Sequence, residues 1–433
     1  MTKPEFVYLF LDNIYLALVI LILYFTIGFF LYRKQIYSIY DPGLLFLILA
    51  ISAHSVIVFL YILNKLNFIT VIYFFLTQIA FTIGWFLFKP IKFKNKPRNT
   101  FLFGKYSKLF YYISLSIFII CQIILYLYKG IPLLSQYRLE LAKSGDGFGF
   151  FYRLVFVSSI FSYVIAIFKL LYLNQSWLNI KLDKIVIYFY VITQVLNGSK
   201  AGILLSILFV FLPIFFSQQF AFERNNERRL KRKLLMFLIL SIPFGVLTVL
   251  IQNSLFSDDR TSFITGLTTI FIRFLNSGDI FYMAWVNDVV YNIPSYWTDG
   301  FLAIFSDFLG MFRIVSRSEL PTHLGLQVMW LLNNTDTFDG PNLRHNVFGI
   351  FYFGIYGAIF YSFTLGIMFG FIRNKLLFLL PKSIAGLSIF SALFYIACYI
   401  PQDFSSITMS YFLSFIIVLL IILLLSSILS KLT

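Results

Sequence analysis

Apolar stretches of about 20 residues recur along the whole chain, and this feature most constrains its fold. A helix of that length crosses the ~30 Å hydrocarbon core of a bilayer. The composition agrees, because 60% of the 433 residues are hydrophobic and only 12% are charged, which is about half the charged fraction of a soluble domain. The sequence therefore predicts an all-α, polytopic membrane protein that forms one helical bundle without a separate soluble domain.

Two strongly basic links limit how the apolar stretches alternate across the membrane. One has seven Lys or Arg between Lys89 and Lys108, and the other has six between Arg224 and Lys233. Such links favour the cytoplasmic side, so an even number of crossings must separate them, with the N-terminus outside and the C-terminus inside. The eleven predicted spans are 9–32, 43–63, 67–88, 109–128, 151–173, 184–197, 201–217, 234–252, 347–372, 383–400 and 406–429.

The apolar run from Ile185 to Phe216 is interrupted by the sequence NGSK at 197–200. A single helix of some 33 residues would be about 50 Å long, which is far more than the bilayer requires. A single crossing would also put the second basic link outside, against the positive-inside rule. The chain is therefore predicted to cross twice here, with Lys200 at the external turn.

Two external loops remain in this topology, at 129–150 and 253–346. The larger loop holds 9 of the 18 acidic residues, together with several Trp and Tyr. Loops of this length are mostly functional or disordered, and the aromatic residues argue against disorder. Its segments Thr261–Leu275 and Gly300–Val315 are apolar enough to lie on the membrane surface or dip into it.

Three basic residues lie where this topology puts the outer rim of the bundle, each in a different segment. Arg138 lies in the first loop, Lys200 at the turn, and Arg344 at the outer mouth of the ninth span, with His345 beside it. Each has an ordinary explanation as a solvated residue or an interfacial anchor. Together, however, they form a set of cations on the side where Lys and Arg are depleted. Arginine binds phosphate through two parallel hydrogen bonds, so the set indicates an anionic ligand.

Several classes of protein are disfavoured by the motifs that the sequence lacks. It has no Walker loop, no HExxH or GxSxG motif, and no Cys/His spacing typical of zinc sites. It also has no Asp-x-Asp pair, which disfavours a nucleotide-sugar transferase that holds a divalent metal; no metal or other cofactor is expected. The net charge of +16 indicates topology rather than a nucleic-acid partner. His54, in the middle of a span, is interpreted as a hydrogen-bonded interior residue, although such residues also mark functional sites.

Three segments of the sequence share a pattern with a known family. They read GIPLLSQYRLELAKSGDGFGFFYRL, LNGSKAGILLSILFVFLP and GPNLRHNVFGIFYFGIYGAIFYSF, and they resemble the bacterial O-antigen and capsule repeat-unit polymerases. In that family a GIPL-type turn leads to a loop arginine, a Gly-Ser-Arg or Gly-Ser-Lys turn separates two short spans, and a large external loop precedes a Gly-rich aromatic span. The resemblance covers most of the chain, and the family's loop arginines correspond to Arg138 and Arg344.

The resemblance implies a glycosyltransferase that polymerises polyprenyl-diphosphate-linked oligosaccharides at the outer face of the bacterial cytoplasmic membrane. The growing glycan would leave its lipid carrier and join a hydroxyl of the next lipid-linked unit. Arg138, Lys200 and Arg344 are the expected diphosphate ligands, and Arg138, Arg344 and His345 are the expected catalytic residues. The expected partners are the lipid-linked donor and acceptor, the bilayer and a membrane protein that regulates chain length.

The identity of the general base and the exact reaction stay open at this point. His345 is the first candidate for the base, with Asp258 and Glu319 of the long loop as alternatives. A flippase for the same lipid-linked glycan would also need many spans and a cationic cavity, but no inverted repeat is visible. O-antigen ligases share the same general plan and differ in the acceptor.

Overall fold

The computed structural model describes residues 1–38, 41–92, 101, 104–135, 148–173, 177–198, 200–220, 236, 276–316, 318–333 and 340–432. Within these ranges the chain consists of helices and their connections, with no β-strand. The predicted all-α fold is confirmed for this part of the chain.

The helices follow the apolar runs of the sequence. The first eight are α1 (Lys3–Asp12), α2 (Ile14–Tyr32), α3 (Pro42–Ile62), α4 (Phe68–Phe86), α5 (Lys105–Lys129), α6 (Gly149–Tyr172), α7 (Trp177–Leu196) and α8 (Lys200–Ser217). The C-terminal half contains α9 (Trp297–Met311), α10 (Leu324–Asn333), α11 (His345–Gly370), α12 (Ile384–Tyr399) and α13 (Met409–Leu432). Short 3-10, π or α turns occur at Pro132–Leu134, Asn276–Gly278, Phe281–Trp285, Val286–Asn292, Phe371–Leu376, Leu377–Leu379 and Phe404–Thr408.

Seven helical segments in the described residues are long and apolar enough to cross a membrane. They match seven of the eleven predicted spans, so a polytopic helical membrane protein is supported. Three further predicted spans correspond to helices α7, α8 and α12, and the predicted span 234–252 lies outside the described residues, apart from residue 236. The seven segments are Ile14–Tyr32, Pro42–Ile62, Phe68–Phe86, Lys105–Leu134, Gly149–Tyr172, His345–Leu379 and Phe404–Lys431.

The apolar run that contains NGSK folds as two helices rather than one. Helix α7 ends at Leu196, and α8 begins at Lys200. The ring centroids of Tyr190 in α7 and Phe209 in α8 lie 6.2 Å apart. Residues on the two sides of the turn therefore face each other, as in an antiparallel helical pair, and the predicted break in the helix is present.

Buried polar contacts join several helix ends at one end of the bundle, which we call the basic end. Asn374, after α11, donates to the carbonyl oxygen of Phe88 after α4 at 3.2 Å and to the side chain of Gln35 after α2 at 3.0 Å. The neighbouring Arg373 pairs with Asp41 at the start of α3. These joined segments also carry Arg33, Lys34, Lys89, Lys92, Lys375 and Lys382, so the basic residues of separate predicted links gather at one end.

Helices α4 and α11 pack closely because glycines remove side chains from their contact. A Cβ atom at Gly84 would clash with the backbone of Phe363, and one at Gly366 would clash with the carbonyl oxygen of Phe81. Small residues allow this kind of approach between membrane helices. The close contact fixes the position of α4 relative to the functional candidates at the start of α11.

Helix α11 does not run straight, because the chain reverses at Gly354. Its backbone angles there are φ 64° and ψ −178°, a combination that is essentially restricted to glycine. Residues 345–353, which we call the re-entrant arm, fold back along residues 355–370, which we call the crossing arm. As a result, Gly349 packs against Ala358.

The start of the re-entrant arm lies near the mid-depth of the bundle. Ser362, which contacts its first residue, is eight residues beyond Gly354, and Thr77, which bonds to Asn346, is nine residues into α4. At 1.5 Å per residue these offsets are about 12–14 Å, nearly half of the ~30 Å hydrocarbon core. The sequence analysis predicted that Arg344 lies at the outer mouth of a span. In the structure Arg344 lies deeper in the bundle, because the chain reverses at Gly354.

One of the two loop segments predicted to lie on the membrane is described, and it forms α9. Gly300 packs against Tyr352 and Phe353 of the re-entrant arm. Large aromatic residues spaced three or four apart project from another face, as expected of an interfacial helix. They are Trp297, Phe301, Phe305, Phe308 and Phe312, and all are exposed. The other segment, Thr261–Leu275, lies outside the described residues.

Candidate functional site

Arg344 immediately precedes the re-entrant arm, and only 1% of the residue is exposed. Its Nε and Nη2 atoms donate to the carbonyl oxygen of Ser277 at 2.9 and 2.5 Å. The Ser277 hydroxyl donates to the carbonyl oxygen of Leu49 in α3 at 3.2 Å, and the charge of Asp279 favours the guanidinium. The Nη1 atom has no hydrogen-bond partner among the described residues. The side chain is thus anchored on one edge and keeps a donor for a ligand.

His345 is the first residue of the re-entrant arm, and it is buried against α4 and the crossing arm. Its ring stacks on Phe81, with centroids 5.0 Å apart and an interplanar angle of 23°. The Nδ1 atom lies 2.8 Å from the Oγ atom of Ser362, and the backbone N–H contacts the carbonyl oxygen of Pro401 at 3.4 Å. These contacts fix the ring plane and leave Nε2 as the ring nitrogen for proton transfer.

The N-terminus of the re-entrant arm is an electrostatically positive point inside the bundle. The first N–H groups of any helix lack partners within that helix, and the helix dipole is positive there. Asn346 lies in this first turn, where its Nδ2 atom donates to the Oγ1 atom of Thr77 at 2.8 Å. Arg344 adds a full positive charge at the same place. Together they favour an anionic group.

His54 of α3 lies beside the N-terminus of the re-entrant arm and lines a cavity between α2, α3 and α4. His54 lies close enough to Arg344 and His345 for electrostatic interaction, and its ring meets the edge of Phe74 at 5.3 Å. The cavity is small, with a volume of about 20 Å³. It is lined by Tyr32, Phe46, Leu47, Ala50, Ile51, His54, Gln78, Phe81, Trp85 and Pro401. Because Phe81 is shared, the cavity wall reaches the ring on which His345 stacks.

Three buried polar atoms around the N-terminus of the re-entrant arm lack a hydrogen-bond partner within the described part of the chain. They are Arg344 Nη1, Asn346 Oδ1 and Gln78 Oε1. Each such atom costs about 1–3 kcal/mol when it stays unpaired, so their concentration in one region is typical of a polar site rather than of a sealed core. Arg344 and His345 are the ionisable groups that can act on a ligand there.

The other predicted site residues are not joined to this point by the described contacts. Arg138 and Asp258 lie outside the described residues. Lys200 is the first residue of α8. Glu319 is exposed in a turn, where its backbone N–H donates to the carbonyl oxygen of Ser316 at 3.0 Å.

Sequence reasoning missed Asp403, which contacts the segment before the re-entrant arm, and His323, which contacts Asp403. The Oδ2 atom of Asp403 lies 3.1 Å from Nε2 of His323 and 3.5 Å from the backbone nitrogen of Leu343. Burial alone would raise the pKa of the Asp403 carboxyl, but the adjacent His323 and the donors of Ser406 lower it below its ordinary value. The signal in the sequence was a lone acid between two apolar spans.

The described residues contain no group of three or more His, Cys, Asp or Glu side chains that could hold a metal ion. The sequence matches no protein-family model, and comparisons with curated proteins and with solved structures find no similar chain. Inferences about function therefore depend on the residues of this chain and on their arrangement.

Proposed function

We propose that the protein is a glycosyltransferase that polymerises polyprenyl-diphosphate-linked oligosaccharide units at the outer face of a bacterial cytoplasmic membrane. The observation that carries this proposal is the buried guanidinium of Arg344 at the N-terminus of the re-entrant arm, whose Nη1 donor has no hydrogen-bond partner among the described residues. A buried cation beside a helix N-terminus suits a diphosphate group. The many apolar helices suit a substrate that is itself anchored in the bilayer.

In the proposed reaction, a hydroxyl oxygen of the acceptor unit attacks the anomeric carbon of the donor glycan. The bond between that carbon and the diphosphate oxygen breaks, and the leaving diphosphate keeps the electron pair. Arg344 stabilises the negative charge that develops on the leaving group, with Arg138 and Lys200 as further diphosphate ligands. Loss of one such charged hydrogen bond typically costs about 1.5–3 kcal/mol.

The acceptor hydroxyl loses its proton in this reaction, and His345 is the proposed base. Its Nδ1 atom is engaged by Ser362 at 2.8 Å, so the proton would go to Nε2. Stacking on Phe81 keeps the imidazole in one orientation. Asp258 and Glu319 are the alternative bases. Substitution of each of the three residues in the polymerisation assay described below distinguishes them.

The direct test incubates purified protein in detergent with purified polyprenyl-diphosphate-linked repeat unit. The proposal expects a ladder of lipid-linked polymers together with released polyprenyl diphosphate, without added nucleotide sugar. Addition of a chelator should leave the ladder intact, because basic residues supply the charge that a metal would supply. Recovery of the unit unchanged by a folded protein would contradict the proposal.

A transporter for the same lipid-linked glycan is the second candidate, and the broken helix α11 favours it. Discontinuous helices with N-termini near the bilayer midplane hold anionic substrates in several transporter folds. A transporter would move lipid-linked units across vesicle membranes without changing their length. In cells, loss of a polymerase leaves single-unit glycan on the surface, loss of a flippase retains it inside, and loss of a ligase accumulates lipid-linked polymer.

A further inference from the structure

The loop at 401–403 contacts the backbone on both sides of Arg344. The N–H group of Leu343 donates to Asp403 Oδ2 at 3.5 Å, and the N–H group of His345 donates to the carbonyl oxygen of Pro401 at 3.4 Å. The residue between them carries the buried guanidinium. The position of that guanidinium along the bundle axis therefore depends on this loop.

The carboxylate of Asp403 organises the loop from a site where only 1% of the residue is exposed. It accepts hydrogen bonds from the Ser406 N–H at 3.1 Å and the Ser405 hydroxyl at 3.4 Å. On the other side it pairs with His323 Nε2 at 3.1 Å. A buried carboxylate is stable only when it is paired and hydrogen-bonded, and Asp403 draws its partners from three separate segments of the chain.

We infer that Asp403, held by His323, is a positioning residue that fixes the backbone of residues 343–345 and so sets where the Arg344 guanidinium lies. The effect on the backbone can be measured without any assumption about activity. The effect on catalysis rests on the proposed function. Asp403 does not touch the reacting atoms in this scheme, and it acts through Arg344.

Asp299, another carboxylate of the outer segments, provides a control. Asp299 accepts from the N–H group of Tyr296 at 2.9 Å at the start of α9, three residues before it in sequence. Its hydrogen bond is local, so Asp299→Asn removes a charge without touching the 401–403 loop. Asp403→Asn keeps the side-chain size and one acceptor oxygen but removes the charge that holds His323.

Hydrogen–deuterium exchange of the purified protein tests the positioning directly. In Asp403→Asn, the amides of residues 343–348 should exchange about tenfold faster, because Leu343 loses its charged acceptor and the loop that holds the His345 amide loses its organising carboxylate. Asp299→Asn should leave that segment unchanged. His323→Gln keeps a hydrogen-bond donor but cannot carry a charge, so it should speed exchange of the same amides by a smaller factor. This variant provides the test if Asp403→Asn does not accumulate. Unchanged exchange of residues 343–348 in the folded variants would overturn the inference.

The polymerisation assay then separates positioning from a general structural effect. Asp403→Asn should lower kcat about tenfold and leave KM within about twofold, because misplacement of Arg344 removes an interaction that strengthens in the transition state. If the wild-type protein makes no polymer, the proposed function fails, while the exchange experiment still decides the positioning. If Asp403→Asn loosens residues 343–348 but polymerises normally, the catalytic part of the inference fails and the polymerase proposal stands.

Discussion

The Nδ1 atom of His345 lies 2.8 Å from the Oγ atom of Ser362, which is 17 residues further along the same apolar stretch. In a straight helix these residues would be about 25 Å apart at 1.5 Å per residue. The contact exists because the chain reverses at Gly354, so that one apolar stretch forms a re-entrant arm and a crossing arm. This reversal moves Arg344 and His345 from the expected rim of the bundle to its interior.

A disulfide between residues 349 and 358 tests the reversal. A Cβ atom at Gly349 would lie 3.0 Å from that of Ala358, near the range of about 3.5–4.5 Å in disulfides. On a background without Cys121 and Cys398, the pair Gly349→Cys and Ala358→Cys should oxidise readily. Mass tagging of free thiols before and after reduction measures the outcome.

The matched control pair has the same spacing within the crossing arm. Ile359→Cys and Met368→Cys are also nine residues apart, but they lie on one helix, where they are about 13–14 Å apart. This pair should stay reduced under the same conditions. Equal oxidation of the two pairs, or no oxidation of the 349–358 pair, would contradict the reversal at Gly354.

The buried pair of Arg373 and Asp41 should dominate stability at the basic end. Both residues are at most 1% exposed, and Arg373 also lies 5.7 Å from the centre of the Trp85 ring. Asp41→Ala leaves the guanidinium uncompensated and should cost about 3–5 kcal/mol of unfolding free energy. Asp12→Ala, at an exposed carboxylate, should change it by less than about 0.5 kcal/mol. Denaturant unfolding in detergent compares the two, and a similar small loss from both would refute the role of the pair.

Asp403 should contribute stability that disappears in acid. Its carboxyl pKa in the folded protein is below the ordinary value of 3.8, so its contribution is complete above that value and is lost as the pH falls through the folded pKa. The difference in unfolding free energy between wild type and Asp403→Asn should therefore be largest near pH 6 and shrink toward about pH 3. A difference that grows on acidification has the wrong sign for this account.

The apolar runs were sufficient to predict the helices, because the hydrocarbon thickness fixes their length regardless of tertiary contacts. They could not predict the reversal at Gly354, since hydropathy records where the chain is apolar and not which way it runs. The sequence NVFGIFYFGIYGAIFYSF reads as one span. Hydropathy does not distinguish a glycine that packs, as Gly366 does against α4, from one that turns the chain, as Gly354 does.

Arg344 and His345 could be found from the sequence because charged or ionisable residues next to an apolar run need an explanation. Their burial could not be predicted from the sequence, since it follows from the reversal of the chain at Gly354. Asp403 was missed because a lone acid between two spans looks like an ordinary loop residue. Its importance becomes visible only when His323 and Leu343, which are distant in sequence, converge on its carboxylate.

The sidedness of the bundle is predicted from the basic links and can be tested with impermeant thiol reagents. On the cysteine-free background, Lys200→Cys should react in intact cells, because the turn before α8 faces outside in this topology. Lys94→Cys and Arg229→Cys, in the two basic links, should react only after lysis. Reaction of position 200 only after lysis would contradict the predicted topology and the location of the site at the outer face.

The central claim is that Arg344 stabilises the leaving diphosphate, and polymer formation by purified Arg344 variants tests it most directly. Arg344→Ala should reduce polymerisation about 10- to 150-fold, from the loss of a charged hydrogen bond of about 1.5–3 kcal/mol. Arg344→Lys keeps the charge but loses the planar fork, so it should yield scarce or shortened chains. Melting temperature and membrane abundance are measured in parallel to exclude unfolding. Polymer of normal length and amount from folded Arg344→Ala would contradict the account.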